Sequence, residues 1–211
     1  MALIKANPTE FKDKTIIHPL LRNENQLVIL DYNLRIRKTE IIPIIFLNKT
    51  IFVNKNSFIQ NNKILSKIIR KMVLENIYGK SLTCIGGESY IYSFFKDIKT
   101  TFFTNNNLIL NDAKFNKQFY NQSLKTKLVD YNKDTFITPT DCLIINLSKL
   151  NLNLIKQINN NKIKNIIIIS CKHTDFWKKI KYLTNYKLFK RKYFIDEKLK
   201  YFITINILKI I

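Results

Sequence analysis

The sequence predicts an α/β protein: a mostly parallel sheet of seven strands, preceded by a small β-rich extension. Three observations carry that expectation. Residues 166–169 are consecutive isoleucines, a run with no polar face, which is how a strand covered on both sides reads. Between residues 81 and 170, short apolar runs alternate with segments of helical period, the layout of successive parallel crossovers. Two Tyr/Phe-rich runs, 187–194 and 201–207, then follow at the spacing of an antiparallel pair.

Taken in order, residues 1–24 show no clear period and read as an extended, basic arm. Residues 27–30 form a short strand. Residues 41–47 and 51–53 pair as a hairpin through Asn48 and Lys49. Residues 1–56 therefore make the arm and β-rich extension, and residues 57–211 the α/β domain. Ile64, Leu65, Ile68, Ile69, Met72 and Val73 recur at helical spacing, so 62–77 is a helix, with Gly79 suited to cap its end. Strands follow at 81–85, 100–103, 127–129, 142–147 and 164–170. The helices between and after them run through Ile91, Phe94 and Phe95, through 108–119, through 151–158, and through Phe176, Ile180 and Leu183. Residue 170 ends the central strand, and the carboxyl end of such a strand is where an open α/β sheet binds ligands.

Composition narrows the function classes. The 211 residues contain only 3 Gly and 4 Pro, which excludes a flexible or Gly/Ser-linked chain, and 46% hydrophobic residues are enough for one sizeable core. Lys and Arg number 36 against 15 Asp and Glu, a net charge of +21. Such a chain attracts polyanions, so nucleic acid is the first partner to expect and an anionic membrane the second. Cys84, Cys142 and Cys171 are isolated and the only histidines are His18 and His173, so no metal site is expected. No apolar run approaches spanning length. Residues 1–20 contain Glu10 and Asp13 and no Arg, unlike a matrix-targeting peptide, so the protein is expected to work where it is made or in a reducing compartment.

Four short motifs stand in a telling order. They are Ser57-Phe58-Ile59-Gln60-Asn61-Asn62 before the first helix, Leu82-Thr83-Cys84-Ile85-Gly86-Gly87 at the first core strand, residues 111–116 after the second, and Ile168-Ile169-Ser170-Cys171. In these, over residues 27–208, the chain resembles the S-adenosylmethionine-dependent 5-methyluridine RNA methyltransferases. The resemblance implies a Rossmann-like class I methyltransferase sheet. If activity is kept, it makes Cys171 the nucleophile and places Gln60, Gly86 and Gly87 at the cofactor. The family's chemistry needs a thiolate that adds to uracil carbon 6, a methyl sulfonium held beside carbon 5, and a base that removes the carbon-5 proton. The positive charge of Lys172, Lys178 and Lys179 would favour the thiolate.

Measured against that family, the carboxylates are missing. The acidic residue of the cofactor loop falls at Thr83, and the second loop glycine becomes Glu88 or Ser89, whose bulk would keep the loop off a cofactor. The carboxylate for the ribose hydroxyls falls at Thr104 or Asn105, Asp-Pro-Pro-Arg becomes Asn146-Leu147-Ser148-Lys149, and the catalytic base falls at Tyr201 or Phe202. The expectation is a degenerate enzyme that binds no cofactor.

The basic surface is kept. Residues 172–200 carry ten Lys or Arg against three acids. Lys172, Lys178, Lys179, Lys181, Lys190, Arg191 and Lys192 are the expected phosphate contacts; of Tyr186, Phe189, Tyr193 and Phe194, any left exposed could stack bases, though most are expected to face the core. The sequence thus reads as an inactive, methyltransferase-like structural subunit of a large ribonucleoprotein, with rRNA and neighbouring proteins as partners. The A+T-biased composition points to an organellar ribosome, in the mitochondrion or another organelle. Two alternatives stay open: an active uridine-C5 methyltransferase using Cys171, or a pseudo-methyltransferase in a viral transcription or capping complex or virion.

Overall fold

A computed structural model describes residues 16–19, 27–30, 36–38, 41–59, 63–171, 178–196 and 201–211. The chain forms two compact units: Met1–Ser57 with Asn111–Gln122, and Phe58–Leu110 with Ser123–Ile211.

The first unit holds two small sheets. Strands β1 (Ile16–Pro19), β2 (Leu27–Leu30) and β3 (Ile36–Lys38) form an antiparallel sheet in which Ile16 pairs with Leu30 and Val28 with Lys38. Strand β1 thus lies within the segment read as an arm, because a strand of four residues is too short to show a period. Strands β4 (Ile41–Phe46) and β5 (Lys49–Asn54) make the expected hairpin. Its turn is Leu47-Asn48, one residue earlier than expected, and Leu47 takes a left-handed φ of 53°.

Three α-helices are described: α1 (Lys63–Glu75), α2 (Asn107–Phe119) and α3 (Leu152–Asn159). From Asn111 onward α2 belongs to the first unit, where it closes one edge of β5. Asp112 accepts a hydrogen bond from Asn54 N at 2.8 Å. Asn116 accepts from Phe52 N at 2.8 Å and donates to Phe52 O, and Tyr120 bonds both Thr50 N and Thr50 O. Four helical residues advance about 6 Å and two strand residues about 6.7 Å, so one side chain per helical turn can serve alternate residues of a strand. Phe115 and Phe119 pack edge-on against Phe52 beside this seam, at 5.6 and 4.7 Å.

The second unit is the predicted sheet. Its strands are β6 (Ser81–Ile85), β7 (Lys99–Thr104), β8 (Leu124–Leu128), β9 (Cys142–Asn146), β10 (Asn165–Ser170), β11 (Tyr186–Asp196) and β12 (Tyr201–Ile210). They are ordered β11-β12-β10-β9-β6-β7-β8. The contacts from β10 through β8 are parallel, and β12 pairs antiparallel with both β10 and β11. Every residue of β10 is buried, as a run of isoleucines in an interior strand requires. On one face Ile166 and Ile168 pack with Leu154, Ile155 and Ile158 of α3. On the other, Tyr90 of a 3₁₀ helix (Ser89–Phe95) lies against Phe102 at 5.5 Å.

Four local expectations shift. β8 begins three residues before the expected 127–129, because its only buried residue is Leu124 and its lysines face water. The helix expected through Ile91, Phe94 and Phe95 is a 3₁₀ turn, almost wholly buried. The buried stripe of α1 is Ser66, Ile69, Arg70, Val73 and Leu74, leaving Ile64 and Ile68 exposed. Gly79 does not cap α1, which ends at Glu75. It takes φ +94° where the chain enters β6, and a Cβ there would collide with Asp141. Asp141 is occupied there with Lys80 N, Ser81 N and the Lys164 ammonium at 2.7 Å.

Candidate cofactor crevice and basic surfaces

The strand order reverses between β6 and β9, and the crevice outside the carboxyl ends of strands at such a switch point is where α/β sheets bind ligands. The register aligns the groups around it. Ile85 pairs with Phe103 and Ile145, so Gly86, Thr104 and Asn146 come next on three adjacent strands. Asn146 pairs with Ile169, and Ser170 with Thr204. The motif ending in Gly87 and the motif ending in Cys171 are thereby brought to one edge of the sheet.

Gly86 and Gly87 are both left-handed, with φ of 69° and 46°. A Cβ at Gly87 would stand 2.7 Å from the Asn146 carboxamide, and one at Gly86 would run into Leu147. The two glycines thus let the β6 loop meet the end of β9. Ser89 N and Ser89 Oγ donate back to Gly86 O, and Gly86 N donates to Phe103 O at 2.9 Å. Glu88 does not put its bulk on the crevice. Its carboxylate is buried against Arg70 of α1, at 2.6 and 3.1 Å, with side-chain exposures of 4% for Arg70 and 7% for Glu88. Thr83, where the family's acid was sought, is buried in mid-strand.

At the end of β7 Thr104 is buried and its hydroxyl accepts from Asn106 N, while Asn106 Oδ1 caps the start of α2. The Tyr131 phenol reaches the Phe103 carbonyl at 3.5 Å and is packed with Phe103 and Phe136. Burial pushes it up to about 12, so it stays neutral. Sequence reasoning missed Tyr131 and the Arg70–Glu88 pair. The signal for Arg70 was its place in the same helical stripe as Ile69, Val73 and Leu74.

At the end of β10 Thr204 Oγ1 donates to Ser170 O at 3.3 Å, and Cys171 is exposed just beyond. Desolvation raises the Cys171 thiol above its ordinary value, the opposite of the activation expected from nearby lysines. Tyr201 and Phe202 pair with Asp196 and Ile195, beyond the end of the β10 ladder. Gln60 and Lys172 lie outside the described residues, as does the helical reading at Phe176. Among the described residues no group of three His, Cys, Asp or Glu could hold a metal, and no helix is long and apolar enough to cross a membrane.

No protein-family model and no curated protein matches the chain. Solved structures do. The Pyrococcus abyssi tRNA (uracil-54, C5)-methyltransferase in complex with S-adenosyl-L-homocysteine is 18% identical, with a TM-score of 0.71, over 82% of this chain and 45% of that one. The fold is that of the class I methyltransferases. The M. jannaschii tRNA m1G37 methyltransferase, 13% identical, gives a TM-score of 0.63 over 86% of this chain and 60% of that one. Trm5b from Pyrococcus abyssi, 7% identical, gives 0.63 over 93% and 63%. The chain spans less than half the length of the first enzyme. What these likenesses establish is a methyltransferase fold shared with RNA-modifying enzymes.

The comparison corrects the expectation that no cofactor binds, since the first enzyme holds S-adenosyl-L-homocysteine on this fold. One of the reasons for expecting none, a loop made bulky at Glu88, also fails, because that side chain is turned inward to Arg70. The neutral groups that could meet a cofactor at the switch point are the Gly86–Gly87 backbone and the Asn146 amide, whereas Thr104 is buried with its hydroxyl already accepting from Asn106 N.

The basic residues fall on two surfaces of the same unit. Lys178, Lys179, Lys181 and Tyr182 line an open groove with Asn132 and the first residues of α3. Residues 178–180 are helical and Lys181 lies in the turn that follows. Lys190, Arg191 and Lys192 lie on the edge strand β11, where Arg191 Nε donates to Asn206 Oδ1 at 2.6 Å. Of the four aromatics expected mostly to face the core, Tyr186 is buried and Phe194 half-buried, whereas Phe189 and Tyr193 are 58% and 51% exposed. Phe189 and Tyr193 lie on β11 at the end of the sheet order.

Proposed function

We propose that this methyltransferase-fold chain is an RNA-contacting subunit of a large ribonucleoprotein, with an organellar ribosome as the assembly that suits it best, and that it holds RNA without modifying it. The observation that carries the reading is the row of strand ends at the switch point. Among the described residues at these strand ends, Thr104, Gly86, Asn146, Ser170 and Thr204 present hydroxyls, an amide and backbone, and none is a carboxylate that could remove a proton from carbon 5. The one exposed thiol there, Cys171, is raised by desolvation and is therefore less of a nucleophile at neutral pH. S-adenosylmethionine, were it held by the Gly86–Gly87 backbone and Asn146, would supply a methyl donor, and its presence is compatible with a structural role. A charge of +21 repels itself in a free chain and is neutralised among RNA phosphates.

The test is sedimentation of the native protein on sucrose gradients at low and high salt. A subunit should travel in stoichiometric amount with a ribosomal particle and remain on it when weak phosphate contacts are screened. Migration with an RNA polymerase or a virion overturns the ribosomal assignment. A covalent adduct with 5-fluorouridine RNA, lost in Cys171→Ala, overturns the non-catalytic one.

A further inference from the structure

Strand register sorts the cations of β11 and β12 onto the two faces of the sheet. Lys187 stands directly opposite Lys209, Lys190 opposite Ile207 and Lys192 opposite Ile205. Residues 205, 207 and 209 are alternate positions of β12, so these lysines share one face. Arg191 and Tyr193 stand opposite Asn206 and Thr204 and belong to the other face, where Arg191 Nε donates to Asn206 Oδ1. Lys187, Lys190 and Lys192 are exposed and Lys209 is half-buried. Among the described residues, none of the four pairs with a carboxylate. The register slips between Leu188 and Lys190, so Phe189 is a bulged residue, and the Lys209 ammonium sits 3.7 Å from the centre of its ring.

Lysines and a bulge on an edge strand have an ordinary purpose, to discourage another strand from adding to the sheet. That purpose covers Lys187, Lys190 and Lys192. It does not cover Lys209, whose strand lies inside the sheet between β10 and β11. Like charges directly opposite one another destabilise an antiparallel pair, so the Lys187–Lys209 rung weakens the free chain. A polyanion laid along this face removes the repulsion. The rings on the face do not serve bases: Phe189 already lies under an ammonium, and Phe194, opposite Ile203, is half-buried. A single strand gains its affinity largely by stacking bases on free rings. A duplex keeps its bases inside, carries its phosphates at higher density and is read mostly through its backbone. Lys190 and Lys192 are two strand residues apart, about 6.7 Å, which lets each take a phosphate of its own.

We infer that the face of β11 and β12 bearing Lys187, Lys190, Lys192 and Lys209 binds the phosphate backbone of double-stranded RNA, without reading base sequence. The inference rests on the RNA-contacting reading above and adds the form of the RNA and the face that holds it. Lys187 and Lys209 join the contacts expected from sequence, and Arg191, on the opposite face, leaves them.

The experiment measures fluorescence anisotropy of the full chain with a labelled RNA duplex and with a labelled single-stranded oligouridine of equal charge, each over a range of salt. The unmodified chain should bind the duplex more tightly, and a change of duplex sequence should leave the affinity within about twofold. Lys190→Gln/Lys192→Gln, at two exposed positions, should weaken duplex binding at least about fivefold and lower the salt slope by about two contacts. Two single variants of equal charge then test the face: Lys192→Gln should lower the slope by about one, and Arg191→Gln should leave it unchanged. Thermal midpoints verify that each variant folds. Equal losses from the two single variants overturn the assignment of the face, and tighter binding of oligouridine overturns that of the duplex. A double lysine variant that keeps its duplex affinity and salt slope overturns the inference outright, and self-association of that variant would assign the lysines to guarding the edge. If the unmodified chain binds neither RNA, the RNA-contacting reading itself fails, and this inference with it.

Discussion

Arg70 and Glu88 are the least expected residues of the interior. Both are almost wholly buried, and the guanidinium meets the carboxylate through two hydrogen bonds of 2.6 and 3.1 Å. Burial works against the Arg70 charge, but the charge and hydrogen bonds of Glu88 outweigh it and hold the guanidinium above its usual value. The pair ties the loop after Gly86-Gly87 to α1, and Tyr92 lies close enough for its phenol to be raised, chiefly by burial and then by Glu88. Buried ion pairs contribute little against an apolar pair of similar volume, yet removing one partner strands a charge. Glu88→Ala or Arg70→Met alone should therefore cost about 3–5 kcal/mol in urea unfolding. Arg70→Met with Glu88→Leu should cost much less than the two single losses summed. Additive losses would show that the two charges are not coupled.

At the scale of elements, α2 and β5 show how a helix can stand in for a strand. Asp112, Asn116 and Tyr120 satisfy Asn54, Phe52 and Thr50 in turn, so this edge of the β4–β5 ribbon is closed to other chains. Asn116 is fully buried and bonds both backbone groups of Phe52. Asn116→Leu would leave a buried N–H and C=O unpaired, at about 2–4 kcal/mol for the two. Tyr120→Phe, at a partly exposed position, should cost only about 1 kcal/mol. Chemical denaturation measures both, and equal losses would mean that the seam is held by the Phe52–Phe115–Phe119 rings instead. Among the described residues no seam of this kind serves β11, the last strand of its sheet.

For the whole molecule the governing quantity is a charge of +21 on 211 residues. Self-repulsion lowers the stability of the free chain, and any polyanion that binds the folded state should raise it by mass action. Polyuridylate at low ionic strength is expected to raise the thermal midpoint, and the gain should shrink steeply with added salt. An increment that survives high salt would point to contacts other than phosphates. No change at all would count against RNA as the partner.

The parallel sheet was legible without any structure because β10 is a run of isoleucines and the crossovers recur on either side of it, and burial on both faces leaves such a strand no polar alternative. The two glycines and Cys171 could likewise be placed at the carboxyl ends of their strands from order and spacing. Pairings between residues distant in sequence could not. Glu88 reads as bulk in a cofactor loop until Arg70, on another element, draws it inward. Asn116 reads as one more asparagine in a biased composition until β5 lies beside it. Phe189 and Tyr193 carry the same local pattern as the buried Tyr186. Local pattern records a residue's polarity and period. Which side of the core that residue meets depends on strand order and on which edge is left uncovered, and only the tertiary structure decides those.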